Sequence, residues 1–206
     1  IPEEVIDSAR AGAYEFFGQT ESVKAAVKVT AKHRGWLGQG GAKMKDGAKA
    51  DLKESFIWGH EDDDRALMDH DLRGENIWPV ELPHMGQEAM SYFQHAHKVA
   101  HHLMRGFALG LDLDEDFFLK TASRPLSRAS YVYYPAQPAD LGSSQFGVGP
   151  HTDFGVLTVL CQDSVGGLQV EDASGDWIQA PPIEGTLIVN VADLLSRWTD
   201  GAYKST

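Results

Sequence analysis

The sequence predicts an α+β protein in which helices occupy the first half of the chain and short strands occupy the second half. The first observation is a helical period of apolar side chains, which is clearest between residues 85 and 109. The second is a period of two that begins at residue 128 and recurs in short runs. Such runs are typical of a sandwich or barrel, so we expect a helical and loop region over 1–125 and a β-core over 126–206.

The composition points to a globular protein that handles small molecules. Of its 206 residues, 42% are hydrophobic and 23% are charged, which are ordinary values. No apolar run approaches the roughly 18 residues of a membrane span, and the net charge of −12 argues against a nucleic-acid surface. Cys161 is the only cysteine, so a disulfide within the chain is excluded. We therefore expect a cytoplasmic protein without nucleic-acid or membrane partners.

Two helices are predicted near the start of the chain. Pro2 suits the first turn of a helix, and apolar residues follow it at helical spacing. Thr20 is a candidate cap for a second, shorter helix. In that helix we expect Val23, Ala26 and Val27 to face the core.

The third predicted helix, residues 85–109, is the longest. Its expected apolar stripe consists of Ala89, Phe93, Ala96, Ala100, Leu103 and Phe107. His97 and His101 are four residues apart, so a two-histidine metal clamp is geometrically available. No third ligand is evident nearby, so a polar helix face is the favoured interpretation.

Residues 33–64 are rich in glycine and show little periodicity, which predicts a long loop. Loops of this length often serve as lids or binding segments. No Gly-Lys-Ser/Thr follows the glycines, so a phosphate-binding loop is not indicated. The basic Lys43 and Lys45 would suit an acidic small-molecule ligand.

Five strands are expected in the second half, because apolar and polar residues alternate there. They cover residues 128–134, 156–162, 168–171, 177–180 and 186–191. Pro135 ends the first strand, and Gly166-Gly167 supplies a turn.

His151 and Asp153 lie immediately before the second of these strands. In a strand, side chains two residues apart project to the same side. One imidazole and one carboxylate are two of the three ligands of a facial triad, which holds Fe(II) and leaves positions open. For the tripeptide alone, an aspartate at a turn beside an unrelated histidine remains the favoured alternative, because this tripeptide is common.

The surrounding motifs carry a family resemblance. The run GVGPHTDFGVLTVLCQDSVGGLQV is followed by GDWIQAPP, LIVNVADLLSRWT and YKST. Together they resemble the iron- and 2-oxoglutarate-dependent oxygenases of the isopenicillin N synthase-like family, closely over residues 125–206. A looser likeness extends through IPEEVIDSARAGAYEFF and GENIWP. The resemblance implies that the β-core is a double-stranded β-helix, or jelly roll, behind an amino-terminal helical region.

The resemblance also assigns roles to particular residues. His151 and Asp153 match two iron ligands, and Tyr134 matches a tyrosine that helps to hold the distal carboxylate of 2-oxoglutarate. Val132 stands where the family usually has an asparagine. In the family, the third ligand, a histidine, and the arginine and serine that bind 2-oxoglutarate follow the YKST segment, and this chain ends at Thr206. We therefore expect a jelly roll that is truncated at both ends.

The implied activity uses Fe(II), O₂ and 2-oxoglutarate as cosubstrate, with ascorbate as a supporting reductant. Decarboxylation of 2-oxoglutarate to succinate is coupled to oxidation of a small molecule, with hydroxylation as the default outcome. Two alternatives remain open: an iron oxidase of the same family that does not use 2-oxoglutarate, and a non-catalytic barrel that binds a ligand.

The sequence also suggests roles for Asn190, Asp193 and Phe154. Asn190 and Asp193 are expected to cap the corner where the last strand turns. Phe154 is a candidate for the wall of a pocket, although packing in the core explains it equally well.

Overall fold

The computed structural model describes residues 1–41, 51–61, 70–137 and 146–206. The chain divides into two compact units, Ile1–Gly149 and Pro150–Thr206. Within the described ranges, no helix is both long enough and apolar enough to cross a membrane.

The described residues of the first unit form three α-helices and one antiparallel sheet. The helices are α1 (Glu3–Phe17), α2 (Glu21–Ala26) and α3 (Met85–Leu109), and a short 3-10 helix covers Leu119–Thr121. The strands are β1 (Gly35–Leu37), β2 (Glu54–Gly59) and β3 (Arg128–Tyr133), in the order β1-β2-β3.

The core of this unit lies where α1 and α3 meet the sheet. Phe16 of α1 and Phe56 of β2 are fully buried, and their ring centroids are 4.7 Å apart in an edge-on arrangement. Trp58 of β2 and Tyr131 of β3 are 4.5 Å apart between centroids. Aromatic pairs at these distances contribute beyond the area that they bury. Both pairs include a residue of the central strand β2, in which five of six residues are buried.

The prediction of a long loop over 33–64 is wrong in part, because β1 and β2 lie within it. β1 has only three residues, too few for a visible alternation. Gly35 begins β1 at a φ of 108°, and a Cβ there would lie 2.4 Å from the carbonyl oxygen of Val27. This glycine therefore permits a close backbone approach. Lys43 and Lys45 lie outside the described residues.

Helix α3 has the predicted bounds but a different buried face. Its buried residues are Met85, Ala89, Phe93, Met104 and Ala108. Four residues of the expected stripe are only half-buried: Ala96, Ala100, Leu103 and Phe107. The observed face uses methionines, whose flexible side chains fill irregular gaps in a core.

Helix α2 differs from the prediction at its inward face. Ala26 is exposed, and Lys24 takes a buried position instead. The reason is an ion pair, because the Lys24 Nζ lies 2.7 Å from the Glu54 Oε2 on β2. Thr20 is the residue before the helix, but its side chain makes no capping hydrogen bond.

The second unit contains four short strands and one helix. They are β4 (Leu157–Leu160), β5 (Gln169–Glu171), β6 (Trp177–Gln179), β7 (Ile188–Val191) and α4 (Asp193–Trp198). β4 pairs with β7 and β5 pairs with β6, both antiparallel. With β3, all five predicted strands are present, each shorter than expected. In the β4–β7 register, Thr158 lies directly opposite Asn190.

Candidate metal centre

His151 and Asp153 converge in the second unit. The Nε2 atom of His151 lies 3.6 Å from Oδ1 of Asp153. Residues 151–153 lie ahead of β4 and have no strand pairing, which agrees with their expected position immediately before the second predicted strand. The side chains meet, as the spacing predicts.

Backbone hydrogen bonds to the start of α4 hold this segment in place. The Asp193 N–H donates to the Asp153 carbonyl at 2.8 Å, and the Leu194 N–H donates to the Gly155 carbonyl at 3.0 Å. The Thr152 hydroxyl donates to the Asp193 carboxylate at 3.1 Å. The corner between β7 and α4 therefore positions the segment that carries His151 and Asp153.

The Asp153 carboxylate is held at one of its two oxygens. Its Oδ2 accepts a hydrogen bond from the Asn190 amide nitrogen at 2.9 Å and another from the Thr158 hydroxyl. These two donors come from the directly opposed residues of β4 and β7. Oδ1 is the oxygen that the structure places next to His151.

The surroundings keep Asp153 ionised. The interaction with His151 lowers the pKa of Asp153 the most, burial opposes this, and the hydrogen bonds from Asn190 and Thr158 lower the pKa further. The pKa therefore lies well below its usual range. The side chains of His151 and Asp153 remain 38% and 32% exposed, so a ligand can reach them.

Tyr134 follows β3 in the first unit, whereas His151 and Asp153 belong to the second. Burial raises the pKa of Tyr134, and the charge of Asp51 raises it further. The phenol therefore stays protonated at neutral pH and keeps a hydrogen to donate. Its ring lies against Gly147, where a Cβ would be 2.7 Å from the Tyr134 Cδ1.

Two family models match this chain. The 2OG-Fe(II) oxygenase superfamily matches residues 124–206, and the non-haem dioxygenase in morphine synthesis N-terminal family matches residues 1–81. The first match contains Tyr134, His151 and Asp153. The chain belongs to the 2OG-Fe(II) oxygenase superfamily.

Similar proteins agree with this membership. A probable iron/ascorbate oxidoreductase of Dictyostelium discoideum is 34% identical, over all of this chain and 63% of its own length. Validamycin A dioxygenase of Streptomyces hygroscopicus subsp. limoneus is also 34% identical, over all of this chain and 59% of its own. The chain thus spans about three-fifths of the length of these curated relatives.

A solved structure supports the fold. The crystal structure of a full-length Neurospora crassa protein in complex with alpha-KG has a TM-score of 0.86 and 29% identity. The match covers all of this chain and 65% of the Neurospora crassa chain. The predicted fold class, α+β with a jelly-roll core, is therefore confirmed.

The iron that this superfamily implies fits His151 and Asp153. Atoms that bind one metal ion at about 2.1 Å each are at most roughly 4.2 Å apart, and the two facing atoms are 3.6 Å apart. An imidazole and an ionised carboxylate are the donor types of the Fe(II) facial triad. In the part of the chain that the structure describes, no group of three or more His, Cys, Asp or Glu residues could hold a metal.

One contributor to this centre is not evident from the sequence, and another has a different role from the expected one. Thr158 reads as an ordinary strand threonine, yet its hydroxyl bonds to Asp153. Asn190 was expected to cap a corner, but its amide donates to Asp153 instead. Thr158 and Asn190 could have been found from their cross-strand pairing, but this pairing is known only once β4 and β7 are placed side by side. Phe154 is 89% exposed in this structure, so it is not a core residue of its unit.

Two histidines of α3, His97 and His101, lie close together outside the candidate metal centre. The His97 Nε2 lies 3.2 Å from the Ser127 hydroxyl, and the ring centroids of His97 and His101 are 4.4 Å apart. Burial lowers the pKa of His97 the most, and the charges of His101 and His60 lower it further. The polar helix face stays a prediction for these histidines.

Proposed function

We propose that the full-length protein is a non-haem iron oxygenase that couples oxidative decarboxylation of 2-oxoglutarate to oxidation of a small molecule, by default hydroxylation. The observation that carries the proposal is the ionised Asp153 carboxylate 3.6 Å from the His151 imidazole. Membership of the superfamily supports it. When bound, Fe(II) would supply the activation of O₂, with 2-oxoglutarate as the source of two electrons.

The roles of the chain's own residues follow from their surroundings. Asp153 presents a carboxylate that needs no deprotonation before it binds a cation. His151 presents the Nε2 of its ring on the same side. Tyr134 presents a protonated phenol, which can donate a hydrogen bond to the distal carboxylate of 2-oxoglutarate.

The partners are proposed from chemistry and from similar proteins. The Neurospora crassa structure contains alpha-KG, and one relative is named for the small molecule validamycin A. The net charge of −12 supports a protein without nucleic-acid partners. The single cysteine fits a cytoplasmic location. Ascorbate is proposed as a supporting reductant.

Replacing a ligand tests the iron site. In the full-length protein, His151→Ala should raise the Kd for Mn(II), a redox-stable substitute for Fe(II), and should abolish succinate formation from 2-oxoglutarate, because too few ligands remain. The matched control is His102→Ala, since His102 is an exposed histidine on α3. Electron paramagnetic resonance measures the free Mn(II). Unchanged metal binding and succinate release by His151→Ala would contradict the assignment.

Replacing Tyr134 tests the cosubstrate site. Tyr134→Phe should raise the Kd for 2-oxoglutarate about 10- to 100-fold, as expected for a lost hydrogen bond to a charged group. Calorimetric titration of the Mn(II)-loaded protein measures this Kd. Tyr133→Phe is the control, because the Tyr133 ring stacks on Phe17 at 5.2 Å and keeps this contact without its hydroxyl. Equal Kd values for 2-oxoglutarate in Tyr134→Phe and Tyr133→Phe would refute the role of Tyr134.

The same measurements separate the two alternatives. Metal binding without affinity for 2-oxoglutarate would identify an iron oxidase that does not use this cosubstrate. Absence of metal binding by the full-length protein would favour a barrel that binds its ligand without catalysis.

A further inference from the structure

We infer that Thr158 and Asn190 are positioning residues that hold Oδ2 of Asp153 and thereby direct Oδ1 alone towards the metal. The inference rests on the proposed iron site, and it concerns side chains that do not themselves bind the metal. Neither residue was expected to have this role from the sequence.

Oδ2 of Asp153 has two hydrogen-bond donors. The Asn190 amide nitrogen lies 2.9 Å from this oxygen, and the Thr158 hydroxyl donates to the same atom. A carboxylate oxygen has two lone-pair sites in the plane of the group. Two donors on one oxygen therefore occupy these sites and oppose rotation of the carboxylate.

The two donors lie on paired strands, which hold them in place. Thr158 and Asn190 are direct cross-strand partners in the β4–β7 ladder, so the backbone sets the separation of their side chains. The Asp153 backbone is held as well, because its carbonyl accepts from the Asp193 N–H at 2.8 Å. The Asp153 side chain is thus held at Oδ2 by β4 and β7, and the Asp153 main chain is held by the start of α4.

The hydrogen bonds at Oδ2 determine which oxygen of Asp153 is free to bind the metal. Hydrogen bonds from outside the ligand set orient metal ligands, and their loss typically costs 10- to 100-fold in metal affinity or activity. Here they leave Oδ1 as the atom 3.6 Å from His151 Nε2. A carboxylate that offers one oxygen uses one metal position, which leaves others for 2-oxoglutarate and O₂.

The experiment measures Mn(II) binding by the full-length protein, with activity only as a second readout. Thr158→Val keeps the shape of the side chain and removes the hydroxyl, and Thr158→Ser restores the hydroxyl. We expect Thr158→Val and Asn190→Ala to raise the Kd for Mn(II) about 10- to 100-fold, and Thr158→Ser to stay near the wild-type value. The absorption spectrum of the Co(II)-loaded protein should change in Thr158→Val and not in Thr158→Ser.

Thr186→Val is the matched control, because the Thr186 hydroxyl donates to the Ile183 carbonyl in the same unit. It should bind Mn(II) as the wild type does. If Asn190→Ala fails to fold by circular dichroism, the Thr158 pair decides the result. Equal Mn(II) affinity and equal Co(II) spectra for Thr158→Val, Thr158→Ser and wild type would overturn the inference, even when His151→Ala loses the metal. If His151→Ala binds Mn(II) as tightly as the wild type, the iron site itself fails, and the inference fails with it.

Discussion

At the scale of single residues, the first unit contains a charged pair inside its core. The side chains of Lys24 and Glu54 are each only 10% exposed, and Nζ lies 2.7 Å from Oε2. The indole N–H of Trp36 donates to the same Glu54 oxygen at 2.8 Å. The two hydrogen bonds compensate for the burial of the Glu54 carboxylate, so the loss of either donor would leave a buried charge partly uncompensated.

Removal of the positive charge should therefore destabilise the protein. We expect Lys24→Met to lower the free energy of unfolding by about 3 kcal/mol, at the low end for a broken buried pair, because Trp36 still donates to Glu54. Urea denaturation followed by fluorescence measures the change. Arg10→Met is the control, since the Arg10–Asp7 pair on α1 is 40% and 60% exposed, and its loss should cost less than about 0.5 kcal/mol. Equal costs for the two variants would show that burial does not govern the pair.

At the scale of elements, two glycines, Gly106 and Gly35, have different roles. Gly106 lies in α3, and a Cβ added there would meet nothing within 4 Å. Gly35 begins β1 with positive φ, and a Cβ there would strike the Val27 carbonyl. The helix therefore does not need its glycine, whereas the strand does.

Alanine at these two positions should have opposite effects. Gly106→Ala should raise the free energy of unfolding by about 0.5–1 kcal/mol, because alanine loses less backbone entropy in a helix. Gly35→Ala should lower it by more than about 1 kcal/mol through strain. Thermal unfolding compares both variants with wild type. A destabilised Gly106→Ala protein would mean that a partner outside the described residues contacts this face of α3.

At the scale of the whole molecule, acid should weaken folding through His97. Its pKa is lowered in the folded state by burial and by His101 and His60. As pH falls through the unfolded value of about 6.5, the unfolded chain takes up a proton that the folded chain resists. The contribution of neutral His97 to the free energy of unfolding is therefore fully present above about pH 6.5. It decreases as the pH falls further, and it is lost completely once the pH is below the folded pKa of His97.

The variant His97→Gln should show a shallower loss of stability between pH 7 and pH 5, roughly the range in which histidine titrates. Denaturant titrations at several pH values measure the slope. His102→Gln, which removes an exposed histidine from the same helix, should keep the wild-type slope. If the free energy of unfolding of His97→Gln depends on pH as it does in the wild type, groups other than His97 cause the acid sensitivity.

The sequence by itself determined the three helices of the first half, including the bounds of α3, the five strands from residue 128 onward, and the proximity of the His151 and Asp153 side chains. These features depend on local periodicity and on motifs within a short stretch of chain. The tertiary structure alone decided that Lys24 is buried, that β1 and β2 lie inside an expected loop, and that Thr158 and Asn190 meet at Asp153. Each of these depends on contacts between residues that are far apart in the chain. Strand register and buried charge arise from such distant partners, because pairing and desolvation exist only after the chain has folded.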